Sequence, residues 1–240
     1  PLHCGDGDPC TIDTCTPAMG CQTAQILSPV CGANCSVELE HLDAAGLDFF
    51  ARDIWSVTMN KDLVCATSAL GLETYEIVGD GVPVPRSIFR SPNSIRGALL
   101  GDKHAYLRGY QSNIRVIDLG QPHKPVQVAT IALGAAAADS ALSGNMLVVA
   151  QVAGGIRTVN IAAPPQPVTL GQVSMPTLQA VAASGQIALA VGGTSKPQVL
   201  YVIDLIKPAK PTIKGSVKLA SFNVAPGGTI AMLGELAAVG

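Results

Sequence analysis

Charge is scarce in this chain. Asp, Glu, Lys and Arg make up 13% of the 240 residues, about half the ~25% usual in soluble domains, and the formal net charge is −2. A nucleic-acid surface needs clustered Lys and Arg. The one basic concentration, Arg86, Arg90, Arg96, Arg108 and Arg115, is spread over several segments and reads as ordinary solvated faces. Low charge also argues against helices, whose solvent faces are normally stocked with Glu, Lys and Arg. The 17 prolines add to this, since each one inside a helix costs ~3 kcal/mol. Aromatics are 4%, so any core is filled by small aliphatic side chains. Residues 158–195 carry no charge, but Pro164, Pro165, Pro167 and Pro176 interrupt them. No window reaches the roughly 20 predominantly apolar residues of a membrane helix. The chain opens on Pro1-Leu2 with no basic-plus-apolar leader, and so abrupt a start suggests a fragment of a longer product. What is abundant is apolar and turn-forming: 48% hydrophobic residues and 25 glycines. That excludes disorder from lack of hydrophobicity and leaves an all-β protein punctuated by Gly and Pro.

Six of the seven cysteines, Cys4, Cys10, Cys15, Cys21, Cys31 and Cys35, lie within residues 1–35, and Cys65 stands alone in an apolar run. The even spacing of the first four predicts a disulfide-rich segment in an exported protein. Zinc sites favour closer pairs, and His3 is the only imidazole nearby. Cys65 reads as a buried free thiol. Asp6, Asp8 and Asp13 are weak calcium candidates. No acidic residue follows Asp13 until Glu38, so the carboxylates read better as turn formers between disulfides. The run from Asp6 to Cys21, Asp-Gly-Asp-Pro-Cys-Thr-Ile-Asp-Thr-Cys-Thr-Pro-Ala-Met-Gly-Cys, resembles short cysteine-rich repeats of exported, mostly bacterial, surface proteins. The resemblance implies an extracellular or cell-surface location.

The remainder, residues 36–240, is repetitive. Asn113-Ile114-Arg115-Val116-Ile117-Asp118-Leu119 recurs as Gly155-Ile156-Arg157-Thr158-Val159-Asn160-Ile161 and as Val199-Leu200-Tyr201-Val202-Ile203-Asp204-Leu205. A weaker copy begins at Gly71-Leu72-Glu73. Proline pairs follow: Pro122 and Pro125, Pro164 and Pro167, Pro208 and Pro211, with Pro83 and Pro85 displaced in the first copy. Each unit of about 42 residues parses into four short strands bounded by Gly, Asn and Pro, the signature of a β-propeller blade. Paired prolines would break the helices of a helical repeat of similar period. The alanine run at residues 135–138 favours helix locally, but the repeat overrules it. Asp118, Asn160 and Asp204 end a strand, where a side-chain oxygen can accept N–H bonds of the following turn. Repetition in every unit makes them scaffold, not catalysts.

Leu200-Tyr201-Val202-Ile203-Asp204 followed by Pro208 and Pro211 resembles the LVIVD-repeat family, as does Ile114 to Asp118 with Pro122 and Pro125. That resemblance implies a β-propeller, usually exported or at the cell surface and without assigned enzymatic activity. Counting units predicts about four and a half blades. Residues 37–42 are expected as the outer strand of another blade, and residues 221–225 and 229–235 as two strands of a fifth. The ring is therefore expected to be incomplete.

Catalytic signatures are missing. The four histidines, His3, His41, His104 and His123, have no ligand spacing, and no nucleophile elbow, zinc-helix motif or phosphate loop occurs. No catalytic residue and no cofactor is expected. The function predicted is a noncatalytic extracellular binding or adhesion scaffold acting through propeller loops on a protein or carbohydrate, with no nucleic acid and no membrane span. The alternative is a propeller hydrolase or lactonase, which requires Asp53, Asp62, Asp102, Asp139 and His104 to converge on a central channel.

Overall fold

The computed structural model describes residues 11–16, 20–25, 54–79, 81–193, 197–219, 230–233 and 236–239, and these contain strands and turns but no helix. The chain divides into two compact units, Pro1–Leu47 and Asp48–Gly240. In the first, β1 (Thr11–Thr16) and β2 (Gly20–Gln25) form an antiparallel hairpin with Cys15 directly across from Cys21. Asp13, expected in a turn, lies within β1 opposite Thr23. Asp6, Asp8, Cys4, Cys10, Cys31, Cys35 and residues 37–42 fall outside the described residues.

The second unit is all-β and builds propeller blades. Blade 1 comprises β3 (Ile54–Asn60), β4 (Leu63–Ser68), β5 (Gly71–Val78) and β6 (Val82–Arg90). Blade 2 comprises β7 (Ile95–Leu100), β8 (His104–Gly109), β9 (Asn113–Asp118) and β10 (Val126–Ala132). Blade 3 comprises β11 (Ala137–Ser143), β12 (Met146–Gln151), β13 (Gly155–Asn160) and β14 (Val168–Val173). Blade 4 comprises β15 (Leu178–Ser184), β16 (Ile187–Gly192), β17 (Gln198–Asp204) and β18 (Thr212–Leu219). Every sheet is an antiparallel meander in chain order. The first strand of each blade packs on the blade before it: β7 on β3 and β4, β11 on β7 and β8, β15 on β11 and β12. A two-stranded sheet, β19 (Ile230–Leu233) and β20 (Leu236–Val239), follows, with β19 against β15. Residues 229–235 were expected to hold one strand, and β19 lies there. Strand β20 was not foreseen, and residues 221–225 lie outside the described residues.

Stacking explains the composition. Strands in the middle of a blade are covered on both faces, so β12 and β16 are buried at five of six positions and read as continuous aliphatic runs, not as alternation. The cores form between blades. Ile114, Val116, Leu133 and Tyr106 of blade 2 meet Leu147, Val149 and Val159 of blade 3. Ile156 and Val148 meet Leu178, Ala188 and Ile203 in the next interface. Cys65 and Leu72 meet Ala105, Leu107 and Ile117 between blades 1 and 2. The alanine run at 135–138 leads into β11, where Ala137 is buried in an inter-blade core; packing overrides its helix propensity.

Two bulges recur in every blade. The first strand shifts register at Ile54/Ser56, Ile95/Gly97, Ala137/Asp139 and Leu178/Ala180. The outer strand shifts opposite Thr74/Tyr75, between Gln127 and Ala129, opposite Thr158/Val159 and opposite Val202/Ile203. An extra residue at a fixed place raises local twist, so each sheet twists alike and stacks on its neighbour.

Strand ends also repeat. Asp118 Oδ1 accepts the N–H of Gly120 at 2.8 Å, Asn160 Oδ1 that of Ala162 at 2.9 Å, and Asp204 Oδ1 that of Ile206 at 2.8 Å. A tight turn follows with its first proline at the second position, closed by Lys124 N–H to Gln121 O, Gln166 to Ala163 and Lys210 to Lys207, each 2.8 Å. Proline pre-sets φ there. In blade 1, Pro83 and Pro85 instead lie within the outermost strand β6, an edge that tolerates a missing N–H, and Glu76 pairs with Arg86.

Cys65 is fully buried and free, and burial pushes its thiol up to about 12. A thiol reacts as thiolate. Iodoacetamide at neutral pH should therefore leave Cys65 unmodified in the native protein and label it once in denaturant, read by intact mass.

Candidate functional site

Successive blades are held together at two kinds of contact, and their pattern locates the site. At the hairpin between the first and second strands, Asn60 Nδ2 of blade 1 donates to the Gly101 carbonyl of blade 2 at 2.8 Å. Ser143 Oγ of blade 3 donates to the Gly185 carbonyl of blade 4 at 2.9 Å. At the proline turn, Thr74 Oγ1 and Ser87 Oγ of blade 1 donate to the Pro122 carbonyl at 2.7 and 2.8 Å. Thr158 Oγ1 of blade 3 donates to the Pro208 carbonyl at 2.6 Å. Between blades 2 and 3 the equivalent positions hold Gly101, in place of Asn60 and Ser143, and Val116, in place of Thr74 and Thr158. Neither has a side-chain donor, and among the described residues neither clamp forms there.

A groove of about 270 Å³ opens at this junction. Gly101, Asp102 and Lys103 come from the β7–β8 turn, His104 from the start of β8, Gly144 and Asn145 from the β11–β12 turn, and Ile161, Ala162 and Pro164 from the proline loop of blade 3; Tyr106 and Leu142 complete the lining. The arrangement is an apolar floor with a polar rim, the usual composition of a binding cleft. Asp102 pairs with Lys61 of blade 1 at 2.8 Å on the solvent-exposed surface. That hydrogen bond and the ammonium charge hold its carboxyl below the usual carboxylate range, while Lys61 is pushed up. Burial pushes the Tyr106 phenol up, keeping it a neutral donor.

Elsewhere in the stack, Arg108 of blade 2 and Asp139 of blade 3 form a mostly buried ion pair that also engages blade 4. Arg108 of β8 is in register with Gly97 of β7. A Cβ at Gly97 would lie 2.9 Å from the guanidinium, so the glycine leaves the passage through which Arg108 reaches blade 3. There its Nη1 donates to the Ala138 carbonyl at 2.9 Å, and Nη2 lies 3.2 Å from Asp139 Oδ1. Asp139 Oδ2 accepts the N–H of Val181 on β15 at 2.9 Å. Burial dominates Asp139 and raises its pKa; Arg108 and the N–H bonds of Val181 and Ser140 oppose this.

Of the residues that a channel hydrolase requires, the described ones occupy different parts of the blades. Asp62 and Asp102 sit at hairpin turns of different blades, Asp102 and His104 share the groove, and Asp139 lies four residues before its own hairpin, roughly 13 Å along the strand. Asp53 is outside the described residues. His104, which the hydrolase alternative requires at a central channel, lines the groove. No group of three His, Cys, Asp or Glu among the described residues could hold a metal ion. The arginines are dispersed over separate contacts: Arg96 stacks over Trp55 and Tyr110, 4.9 and 4.3 Å from the ring centroids, Arg86 pairs with Glu76, and Arg115 donates to Ser91 Oγ. Reading Arg108 as a solvated residue was wrong, because the bulge at Ala138 and the gap at Gly97 draw it inside. Glu73 is fully buried and accepts hydroxyl bonds from Ser68 and Tyr75, each 2.8 Å.

The sequence matches no family model and no curated protein. Solved structures do resemble it. A computationally designed protein, Ika4, aligns with a TM-score of 0.50 at 15% identity, over 64% of this chain and 91% of its own. The N-terminal domain of Nup159 aligns with a TM-score of 0.52 at 14% identity, over 77% of this chain. The match spans about half of that domain's chain, 54%. Both likenesses concern the fold alone.

Proposed function

We propose that this protein is a noncatalytic, exported binding scaffold whose blade 2–blade 3 groove takes a ligand of sugar-ring size. The observation that carries the reading is the coincidence of the groove with the junction that lacks both clamps. Its rim offers an anion at Asp102, a cation at Lys103, and the side chains of His104 and Asn145. Its volume is close to the roughly 300 Å³ at which ligand clefts begin. A carbohydrate presented by a cell surface suits a rim of mixed donors and acceptors. Titration with methyl glycosides of hexoses and N-acetylhexosamines, followed by NMR at His104 and Asn145, should give a saturable shift for at least one. Leu142→Trp, which fills the floor, should abolish it. If no glycoside shifts these residues, the carbohydrate reading fails.

Export rests on the cysteine-rich segment and its resemblance to surface-protein repeats. Directly opposed residues of an antiparallel pair have Cα atoms about 4.5–5.5 Å apart, inside the span that a disulfide bridges. The β1–β2 register, with Cys15 across from Cys21, supports Cys15–Cys21 as one bridge. Mass spectrometry of unreduced, digested protein should recover that link. Finding Cys15 and Cys21 both alkylated without reduction would refute it.

A further inference from the structure

Three arginines gather at one end of blade 2. Arg96 opens β7, Arg108 nears the end of β8 and Arg115 the start of β9, and the antiparallel meander sets these strand ends side by side. No Asp or Glu occurs in residues 81–101 or 103–117. Asp102 and Asp118 lie at the opposite end of the sheet, with the groove. Arg108 has its counter-charge in Asp139. Among the described residues, Arg96 and Arg115 have no ion-pair partner. Arg96 is the extra residue of the β7 bulge and lies over Trp55 and Tyr110, a contact through the guanidinium face that leaves its N–H edge free. Comparison of the copies sets Arg115 apart. At its position blade 3 has Arg157, which donates to Gln172, the residue opposite it, at 2.8 Å. Arg115 has Thr130 opposite it and reaches instead to Ser91 Oγ in the β6–β7 linker. That hydroxyl is held in place by donating to the Asn93 carbonyl at 2.6 Å. Between this linker and the β8–β9 turn lies a cleft of about 10 Å³, lined in part by Ser91, Asn93, Arg108, Gln111, Asn113 and Arg115, with no acidic residue in its wall. Such a space is about one water across. It admits an oxygen atom, not a sugar ring.

We propose that this cleft is an oxyanion site that takes the sulfate or phosphate group of a ligand, separate from the groove at the other end of the blade. Arg115 is the main contact. Its bond to Ser91 uses one N–H and fixes the plane of the guanidinium, and the remaining N–H groups form a fork that suits two oxygens of one anion. Asn93, Gln111 and Asn113 add neutral amide donors around it. Arg96 and Arg108 contribute positive potential from either side, and no neighbouring carboxylate competes for the donors. The same charges exclude a metal cation. In the other blades the position of Arg115 holds Glu73, Tyr201 or the Gln172-bound Arg157, so blade 2 is where the described blades concentrate these donors.

The probes are sodium sulfate and sodium phosphate, titrated into the full chain at constant ionic strength so that general screening does not change. NMR follows the Arg115 side-chain N–H and the Gln111 and Asn113 amides. A saturable shift is expected with at least one anion. Arg115→Gln should weaken it at least tenfold, read at Gln111 and Asn113. Asn93 is exposed, so Asn93→Asp should fold with an unchanged far-UV spectrum; it places a carboxylate on the rim and should also weaken binding at least tenfold. Arg86→Gln removes the same charge outside the cleft, where Arg86 pairs with Glu76, and should change the affinity less than twofold. Glucose 6-sulfate and glucose 6-phosphate identify the source of the group. Binding at least tenfold tighter than the inorganic ion assigns it to a larger ligand, and equal binding to the free anion; either result upholds the site. No saturation at tens of millimolar of any probe overturns the proposal. Indifference to Asn93→Asp does so too, as does an Arg86→Gln loss equal to that of Arg115→Gln, because binding would then follow net charge and not this cleft.

Discussion

Arg108→Met should destabilise the protein by roughly 3–5 kcal/mol, the usual effect of stranding one member of a buried ion pair. Both side chains are mostly buried, 19% and 17% exposed. Without the guanidinium, Asp139 keeps the Val181 N–H bond but loses its counter-charge. Asp139→Asn should cost far less, because the amide oxygen still accepts from Val181 and the Arg108 bond to the Ala138 carbonyl remains. Combining the two should recover much of the Arg108→Met loss. Urea unfolding of the four proteins of this cycle measures the coupling. Additive losses would show that the pair contributes nothing beyond its parts.

The same pair sets a pH dependence. The Asp139 pKa is raised in the folded protein, so the native state binds its proton more tightly than the unfolded chain does. Its contribution to stability is then fully present below the unfolded carboxylate value and is lost as pH rises through the folded one. Asp139→Asn should remove that decline while leaving the rest of the stability–pH profile in place. A decline that persists in the variant would assign it to another group.

Gly171→Val should be the second large effect. The added side chain meets backbone at the Pro208–Ala209 turn, not a movable side-chain tip. Overpacking of this kind costs about 1–3 kcal/mol and occasionally more, and loss of the Thr158 bond to Pro208 adds ~1 kcal/mol. A loss of about 3 kcal/mol or more is expected, measured by denaturant unfolding. Thr158→Val alone should show about 1 kcal/mol. Gly215→Val, the same change at the open counterpart, should be near neutral. Equal losses at Gly171 and Gly215 would mean that the inter-blade contact is not the cause.

The blades were legible from the chain because each carries its own local chemistry. Asp118, Asn160 and Asp204 act within two residues of themselves, and Pro122, Pro164 and Pro208 act through their own φ angle. Such devices leave a mark at every 42 or 44 residues. The groove left a fainter mark. Gly101 and Val116 stand where other units carry Asn60, Ser143, Thr74 and Thr158, and that substitution pattern is visible only when the copies are aligned in strand register. The two bulges per blade supply that register, and an unpaired residue has no compositional signature.

From composition and repeat alone follow the all-β architecture, the strand count per unit and the burial of small aliphatic residues on both faces, since these depend on periodicity and on backbone chemistry within one blade. Contacts across blades needed three dimensions. Ala98 and Val181 are 8% and 3% exposed because they pack in the cores shared with blades 1 and 3, a burial that the strand pattern by itself does not specify. Arg108 became a buried ion-pair member because Gly97, its cross-strand partner, opened a path to a carboxylate one blade away. Low charge, the first anomaly of this sequence, belongs to the stacking. Of the charges that remain inside it, Glu73 is held locally by Ser68 and Tyr75, whereas Arg108 and Asp139 meet where neighbouring sheets join, at a separation no local rule can reach.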